Sequence, residues 1–218
     1  MLRGLFVTGT DTGVGKTVVS AALLARYRGV APLQYWKPVQ TGIEADDDTA
    51  EVRRLIDGEV FAKGVRLRNP VSPHLAAEQA GVTITIEGLL SMLPQNAGEF
   101  RWIVEGAGGA LVPLNARVLM IDWMRALGMP VLVVARSMLG TINHTLLTLE
   151  ALRARSLTVA GLVMVGEKNG PNRAALERYG CVPVLGEMPL LRPLDGTSLR
   201  DWSRAELDPH GRLLEFLV

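Results

Sequence analysis

Three short stretches carry residue types that can do chemistry together. The first is Gly9-Thr10-Asp11-Thr12-Gly13-Val14-Gly15-Lys16-Thr17, set between an apolar run and an apolar-periodic segment. A glycine-rich loop in that context points backbone N–H groups inward, and the helix that follows adds partial positive charge at its N-terminus, so phosphate binds there. Lys16 would reach the outer phosphates of a nucleoside triphosphate, and the Thr17 hydroxyl would ligate Mg²⁺. The usual spacing of such a loop would place its first glycine at Thr10, whereas here it comes one step earlier, at Gly9. The second stretch is Val104-Glu105-Gly106-Ala107-Gly108-Gly109, at the end of another apolar run. Ligands of doubly wound sheets sit beyond the carboxyl ends of strands, so an acid there can hold Mg²⁺ and the glycines let a backbone approach phosphate or substrate. The third is Tyr35-Trp36-Lys37-Pro38-Val39-Gln40-Thr41-Gly42, in which Lys37 can stabilise an anion or developing charge. Downstream, Asp46-Asp47-Asp48 precedes a helical pattern. One of these acids is a second Mg²⁺ ligand, or the triplet only caps the helix.

The lysines sharpen the point. Of 23 basic residues only Lys16, Lys37, Lys63 and Lys168 are lysine, and two of these fall in the motifs. A compact ammonium on a flexible stem can enter places that a broad guanidinium cannot.

These residues need a scaffold. Residues 2–8, 34–39, 102–105, 131–135, 158–165 and 182–185 read as strands. Helical patterns cover residues 16–28, 48–56, 87–93, 118–127, 141–155 and 171–179; residues 58–86 otherwise read as irregular, with Asn69-Pro70 and Ser72-Pro73 marking loops. Alternation of strand and helix implies βαβ units, and Val-rich runs without polar alternation suit a parallel sheet covered on both faces. The expected fold is α/β with three layers: a P-loop NTPase-like, mostly parallel central sheet with helices on both sides, in a single domain over residues 1–218.

Composition narrows the function. Hydrophobic residues make up 48% and charged residues 21%, with a formal net charge of +1, so nothing argues for nucleic acid as a partner. No apolar run reaches the roughly 18–20 residues that span a bilayer. Cys181 is the single cysteine, which fits a reduced, cytoplasmic protein, and it is expected as a small core residue. His74 and His144 do not have zinc-site spacing and are expected to be structural. The free N–H groups at the start of the helix at Thr141 form a possible carboxylate site.

Taken in order, Phe6–Thr17, Trp36-Lys37-Pro38-Val39, Ser72-Pro73-His74, Val104–Gly109 and Gly140-Thr141-Ile142-Asn143-His144 closely resemble the dethiobiotin synthetase family, from about residue 2 to 190. The shifted loop spacing is itself a feature of that family. The resemblance implies an ATP-dependent cyclo-ligase of biotin biosynthesis that closes a cyclic urea on 7,8-diaminononanoate with CO₂, or bicarbonate as its source. The route runs through a carbamate and a carbamic-phosphoric anhydride. It implies Lys37 and Lys16 as catalytic residues and Thr17, Asp48 and Glu105 as Mg²⁺ ligands, with Asp47 the alternate to Asp48. Around the nucleotide it implies Gly13, Val14, Gly15, Lys16, Thr17, Val18, Asp48, Glu105, Gly106, Ala107, Gly108, Val165, Gly166, Pro189, Leu190 and Leu191. Thr12, Thr41, Ser72 and Pro73 resemble substrate-site residues. Gly140, Thr141, Ile142 and Asn143 resemble the site for the substrate carboxylate, reached from the second subunit of a homodimer.

One position departs from the family. An Asn-Asp pair that commonly reads adenine is replaced by Val165 and Gly166, which offer no paired side-chain donor and acceptor. Weak base discrimination is therefore expected, with other nucleoside triphosphates such as CTP usable. The alternative reading is a P-loop ATPase switch of the related segregation and cobyrinate-synthase group. Those switches usually carry a lysine early in the loop, where this chain has Asp11.

Overall fold

Strands that are apolar at every position can be buried only between two layers. The computed structural model, which describes residues 2–218, places them so. In chain order the elements are β1 (Arg3–Gly9), α1 (Lys16–Tyr27), β2 (Leu33–Trp36), β3 (Val39–Thr41), α2 (Asp48–Ile56), β4 (Val65–Leu67), α3 (Pro73–Gln79), α4 (Ile86–Leu90) and β5 (Arg101–Gly109). They continue with α5 (Met120–Leu127), β6 (Val131–Arg136), α6 (Thr141–Arg153), β7 (Val159–Val165), α7 (Gly170–Gly180), β8 (Val184–Met188), α8 (Gly196–Glu206) and α9 (Leu214–Leu217). The main sheet has six strands in the order β2-β5-β1-β6-β7-β8, and its pairings are parallel. The expected α/β architecture is what the chain forms.

Neighbouring residues of each strand feed different cores. Leu5 and Val7 of β1, Ile103 of β5 and Val134 of β6 pack with Val19 and Leu23 of α1, Leu55 of α2 and Trp202 of α8. Phe6, Trp102, Val104 and Val133 face the other way and meet Trp123 of α5, Leu149 of α6 and Leu176 of α7. On that second side Trp36 stands edge-to-face against Trp123 at 5.9 Å and Trp102 at 6.2 Å, geometry that aromatic quadrupoles favour. Among the described residues no helix is long and apolar enough to cross a membrane.

Four local expectations are corrected. The strand expected over residues 34–39 divides: β2 ends at Trp36, and Val39–Thr41 pairs instead with β4 in a separate two-stranded sheet. Pro38 has no N–H to donate, but its carbonyl accepts from Val65 N at 2.8 Å, so the break redirects the chain rather than loosening it. Residues 58–86 are less irregular than expected, because β4 and α3 lie within them; Pro73 opens α3, where a missing N–H costs nothing. Helix α8 lies in a stretch that received no element, although Asp195 caps it by accepting from Thr197 N and Ser198 N. Cys181, expected in the core, is exposed at the C-cap of α7 in a left-handed conformation, φ 46°.

Candidate active site

The phosphate loop joins β1 to α1 at the carboxyl end of the sheet. Gly13 and Gly15 take positive φ values of 67° and 98°, which only glycine adopts without penalty. The shifted glycine has a steric cause. A Cβ on Gly9 would lie 2.8 Å from both Asp11 O and Val14 Cγ2, and 3.1 Å from Lys16 Nζ. No side chain caps α1, so its first-turn N–H groups are free to meet an anion. Lys16 is buried and donates to Asp11 O at 2.9 Å. Burial, and then repulsion from Lys37, lower its pKa to about 8.

Behind the loop four side chains converge from four elements. Lys37 follows β2, Asp48 opens α2, Glu105 lies in β5 and Thr17 in α1. Lys37 Nζ sits 2.6 Å from Glu105 Oε1 and 2.7 Å from Asp48 Oδ2, and donates to Gly106 O at 3.2 Å. Thr17 Oγ1 is 2.8 Å from Asp48 Oδ1 and 3.1 Å from Glu105 Oε1. Burial alone would favour a neutral Lys37, but Glu105 and Asp48 outweigh it and hold its pKa above the ordinary lysine value. For Asp48, burial favours protonation, but the Lys37 charge and hydrogen bonds from Lys37 and Thr17 outweigh it and keep the carboxyl below its ordinary value. The aspartate triplet divides its labour: Asp47 caps α2 by accepting from Ala50 N at 3.0 Å, and Asp48 turns into the cluster.

The donor set suits a hard cation. Thr17, Asp48 and Glu105 offer a hydroxyl and two carboxylates that meet through Thr17, at 2.8 Å and 3.1 Å. That is the partial protein coordination typical of Mg²⁺, which keeps waters and takes phosphate oxygens for the rest.

Two cavities adjoin the phosphate loop, and Lys16, Thr17, Lys37, Asp48, Glu105 and Gly106–Gly108 line neither of them. One, of about 630 Å³, is lined by Gly13, Val14, Gly15, Val18, Val165, Gly166, Pro189, Leu190 and Leu191, all anticipated around the nucleotide, together with Met188 and Leu194. Gly166 has φ 130°, and a Cβ there would collide with Ser137 Oγ, so this backbone refuses a larger residue. Val165 packs its methyls 3.2 Å from the position of a Cβ on Gly15. The other cavity, of about 580 Å³, brings Thr12 together with Gly109, Val112, His144 and Thr148. Thr41, Ser72, Pro73 and Gly140–Asn143 line neither cavity. Ser72 and Pro73 start α3, and the adjacent His74 N donates to Pro113 O at 3.2 Å. Gly140, at φ 95°, starts α6 without a side-chain cap.

Two residues escaped the sequence reading. Arg136, at the end of β6, lines the first cavity, donates to Thr12 O at 3.1 Å and faces Asp11 at 3.6 Å. Its signal was a charge closing an apolar strand at the sheet's carboxyl edge. Tyr35 donates to Glu105 Oε2 at 2.9 Å, and nothing in its aromatic, strand-forming character announced a polar task.

Comparison with known proteins agrees with this geometry. Residues 3–198 match a family model described as an AAA domain. The chain is 45% identical over 203 residues to the ATP-dependent dethiobiotin synthetase BioD of Rhodopseudomonas palustris strain HaA2, covering 92% of each. It is 46% identical over 206 residues to the biotin biosynthesis bifunctional protein BioCD of Bordetella avium, covering 93% of this chain and 43% of that longer protein. Among solved structures, the cell division ATPase MinD of Pyrococcus furiosus superposes with a TM-score of 0.57 at 14% identity, covering 93% of this chain and 97% of that one. At that identity the likeness speaks for the fold alone.

Proposed function

Because the chain belongs to the ATP-dependent dethiobiotin synthetase family, we propose that its buried Lys37, held between Asp48 and Glu105 beside the phosphate loop, serves an ATP-dependent ring closure in biotin biosynthesis. That ion-paired ammonium is the observation that carries the reading. The substrates are 7,8-diaminononanoate, CO₂ and ATP, and residues 1–218 act as one domain in the cytoplasm. One substrate amine adds to CO₂ and loses a proton to give a carbamate. The carbamate oxygen attacks the γ-phosphorus, ADP departs, and a mixed anhydride forms. The second amine then attacks the carbonyl carbon, the ring closes and phosphate leaves.

Each step gathers negative charge on oxygen, and the chain's part is to meet it with fixed positive charge. Lys16 and the free N–H groups of the loop hold the phosphates. Lys37 keeps its proton and faces the carbamate and the transferred phosphoryl group. Thr17, Asp48 and Glu105 would hold Mg²⁺, which would supply further neutralisation of the phosphates. Gly106, Ala107 and Gly108 bring backbone close to the reacting groups. The base lies in the cavity between Val165–Gly166 and Pro189–Leu191, where Val165 and Gly166 offer it no paired side-chain donor and acceptor, so discrimination is weak. Thr12, Thr41, Ser72 and Pro73 serve the diamine, and the start of α6 at Gly140–Asn143 holds its carboxylate from across a homodimer. Leu139, fully exposed beside that helix start, with exposed Met138, Leu111 and Leu147, supports such an interface.

The test mixes the chain with Mg²⁺, ATP, bicarbonate and the diamino acid and follows phosphate. Release is expected only when the diamine is present; release without it would sink the reading.

A further inference from the structure

Glu105 is fully buried, and its two oxygens keep different company. Oε1 accepts from Lys37 Nζ at 2.6 Å and lies 3.1 Å from Thr17 Oγ1. Oε2 accepts from the Tyr35 hydroxyl at 2.9 Å. Tyr35 is buried as completely as Glu105, on the side of the sheet covered by α1 and α2. Phenylalanine would fill nearly the same volume there. A buried phenol needs a partner, and among the described residues the carboxylate is the one its hydroxyl meets.

We infer that Tyr35 is a positioning residue for the metal site: its hydroxyl engages Oε2 and leaves Oε1 as the oxygen that Glu105 presents to a divalent cation. This rests on the Mg²⁺ site proposed above. The consequence is selectivity. Mg²⁺ demands near-octahedral geometry from single oxygens, whereas Ca²⁺ accepts more ligands and welcomes a carboxylate that offers both. Without the Tyr35 hydroxyl, Oε2 loses its hydrogen-bond partner and the carboxylate is held at Oε1 alone, so it can tilt to offer both oxygens to the cation. Losing the partner that orients a ligand typically costs about 10–100-fold in metal affinity.

Calorimetric titration of Mg²⁺, and separately Ca²⁺, into the chain with ADP present tests this in wild type and Tyr35→Phe. The Phe variant should bind Mg²⁺ about ten-fold more weakly while its Ca²⁺ affinity holds or rises, so the ratio moves toward Ca²⁺. An unchanged ratio in a folded Phe variant, checked by its melting transition, would overturn the inference and leave the metal site standing. A wild type that binds no Mg²⁺ with ADP would overturn the site and the inference with it. Should the Phe variant not fold, the wild type decides: Mg²⁺ bound with ADP more tightly than Ca²⁺ supports the single-oxygen arrangement, and Ca²⁺ bound as tightly as Mg²⁺ or more tightly overturns it.

Discussion

The two ends of the nucleotide site are built on opposite plans. At the phosphate end, Lys37, Asp48, Glu105, Thr17 and Tyr35 join in one hydrogen-bonded cluster with both Glu105 oxygens engaged. At the base end, Val14, Val18, Val165, Met188, Leu191 and Leu194 share the wall with Arg136, Lys168 and Asn169, which are engaged with Asp11, Glu206 and Asn172 N respectively. Polar groups bonded to one another in a largely buried cluster are costly to misplace, so they fix a chemistry; a mostly apolar wall whose polar side chains are occupied elsewhere fixes mainly a shape. The difference teaches that this chain specifies what happens to the phosphates more tightly than which nucleoside carries them.

The contrast can be broken most directly at Lys37. Lys37→Ala should lower turnover by about 100-fold or more, by analogy with the removal of one oxyanion donor, and steady-state phosphate release measures it. A near-normal rate would mean the cluster is architecture rather than catalyst. At the base end the effect should be smaller. The kcat/KM values for ATP, CTP and GTP should fall within about 100-fold of one another, since that ratio corresponds to about 2.7 kcal/mol of discrimination. A larger preference for ATP would show the apolar walls reading more than shape.

A pH titration sharpens the phosphate side. Phosphate binding uses protonated Lys16, whose pKa burial and Lys37 have brought down to about 8. Nucleotide affinity should therefore hold at pH 7 and weaken as pH rises above about 8, by up to about ten-fold per unit. Dissociation constants measured at pH 7, 8 and 9 check the direction.

The smallest effect belongs to a control at the far end of α1. The Tyr27 hydroxyl donates to buried Asp208, and burial followed by that hydrogen bond raises the phenol's pKa above its ordinary value. Such a group adds stability that is full below its unfolded pKa of about 10 and is lost as pH climbs toward the folded value. Tyr27→Phe should cost about 1 kcal/mol at pH 8 and less above pH 10, with turnover unchanged. Urea unfolding at both pH values reads the difference.

Most of the fold could be read from the chain because buried parallel strands announce themselves as unbroken apolar runs; Lys37 and Glu105 stand at the ends of such runs, and Lys16 stands where the glycine-rich loop enters α1. The choice of Asp48 over Asp47 could not, since capping and cluster contact differ by one helix position and use the same side chain. β4 stayed hidden for a related reason: a three-residue strand has no period of its own and exists through its pairing with β3. Tyr35 was invisible because its polar partner arrives from β5, seventy positions away in the chain. Cys181 misled because a small thiol is usually buried, whereas here it ends a helix.

Trp36, locked edge-to-face against Trp102 and Trp123, is the immediate neighbour of Lys37 in the chain, and its indole N–H donates to Lys63 O at 2.7 Å. The molecule thus carries its own optical reporter. A shift of Lys37 when ligands arrive would act one peptide bond from this edge-to-face set of indoles, so occupancy of the site should register in intrinsic emission and in the near-ultraviolet dichroism of the coupled indoles, with no label attached.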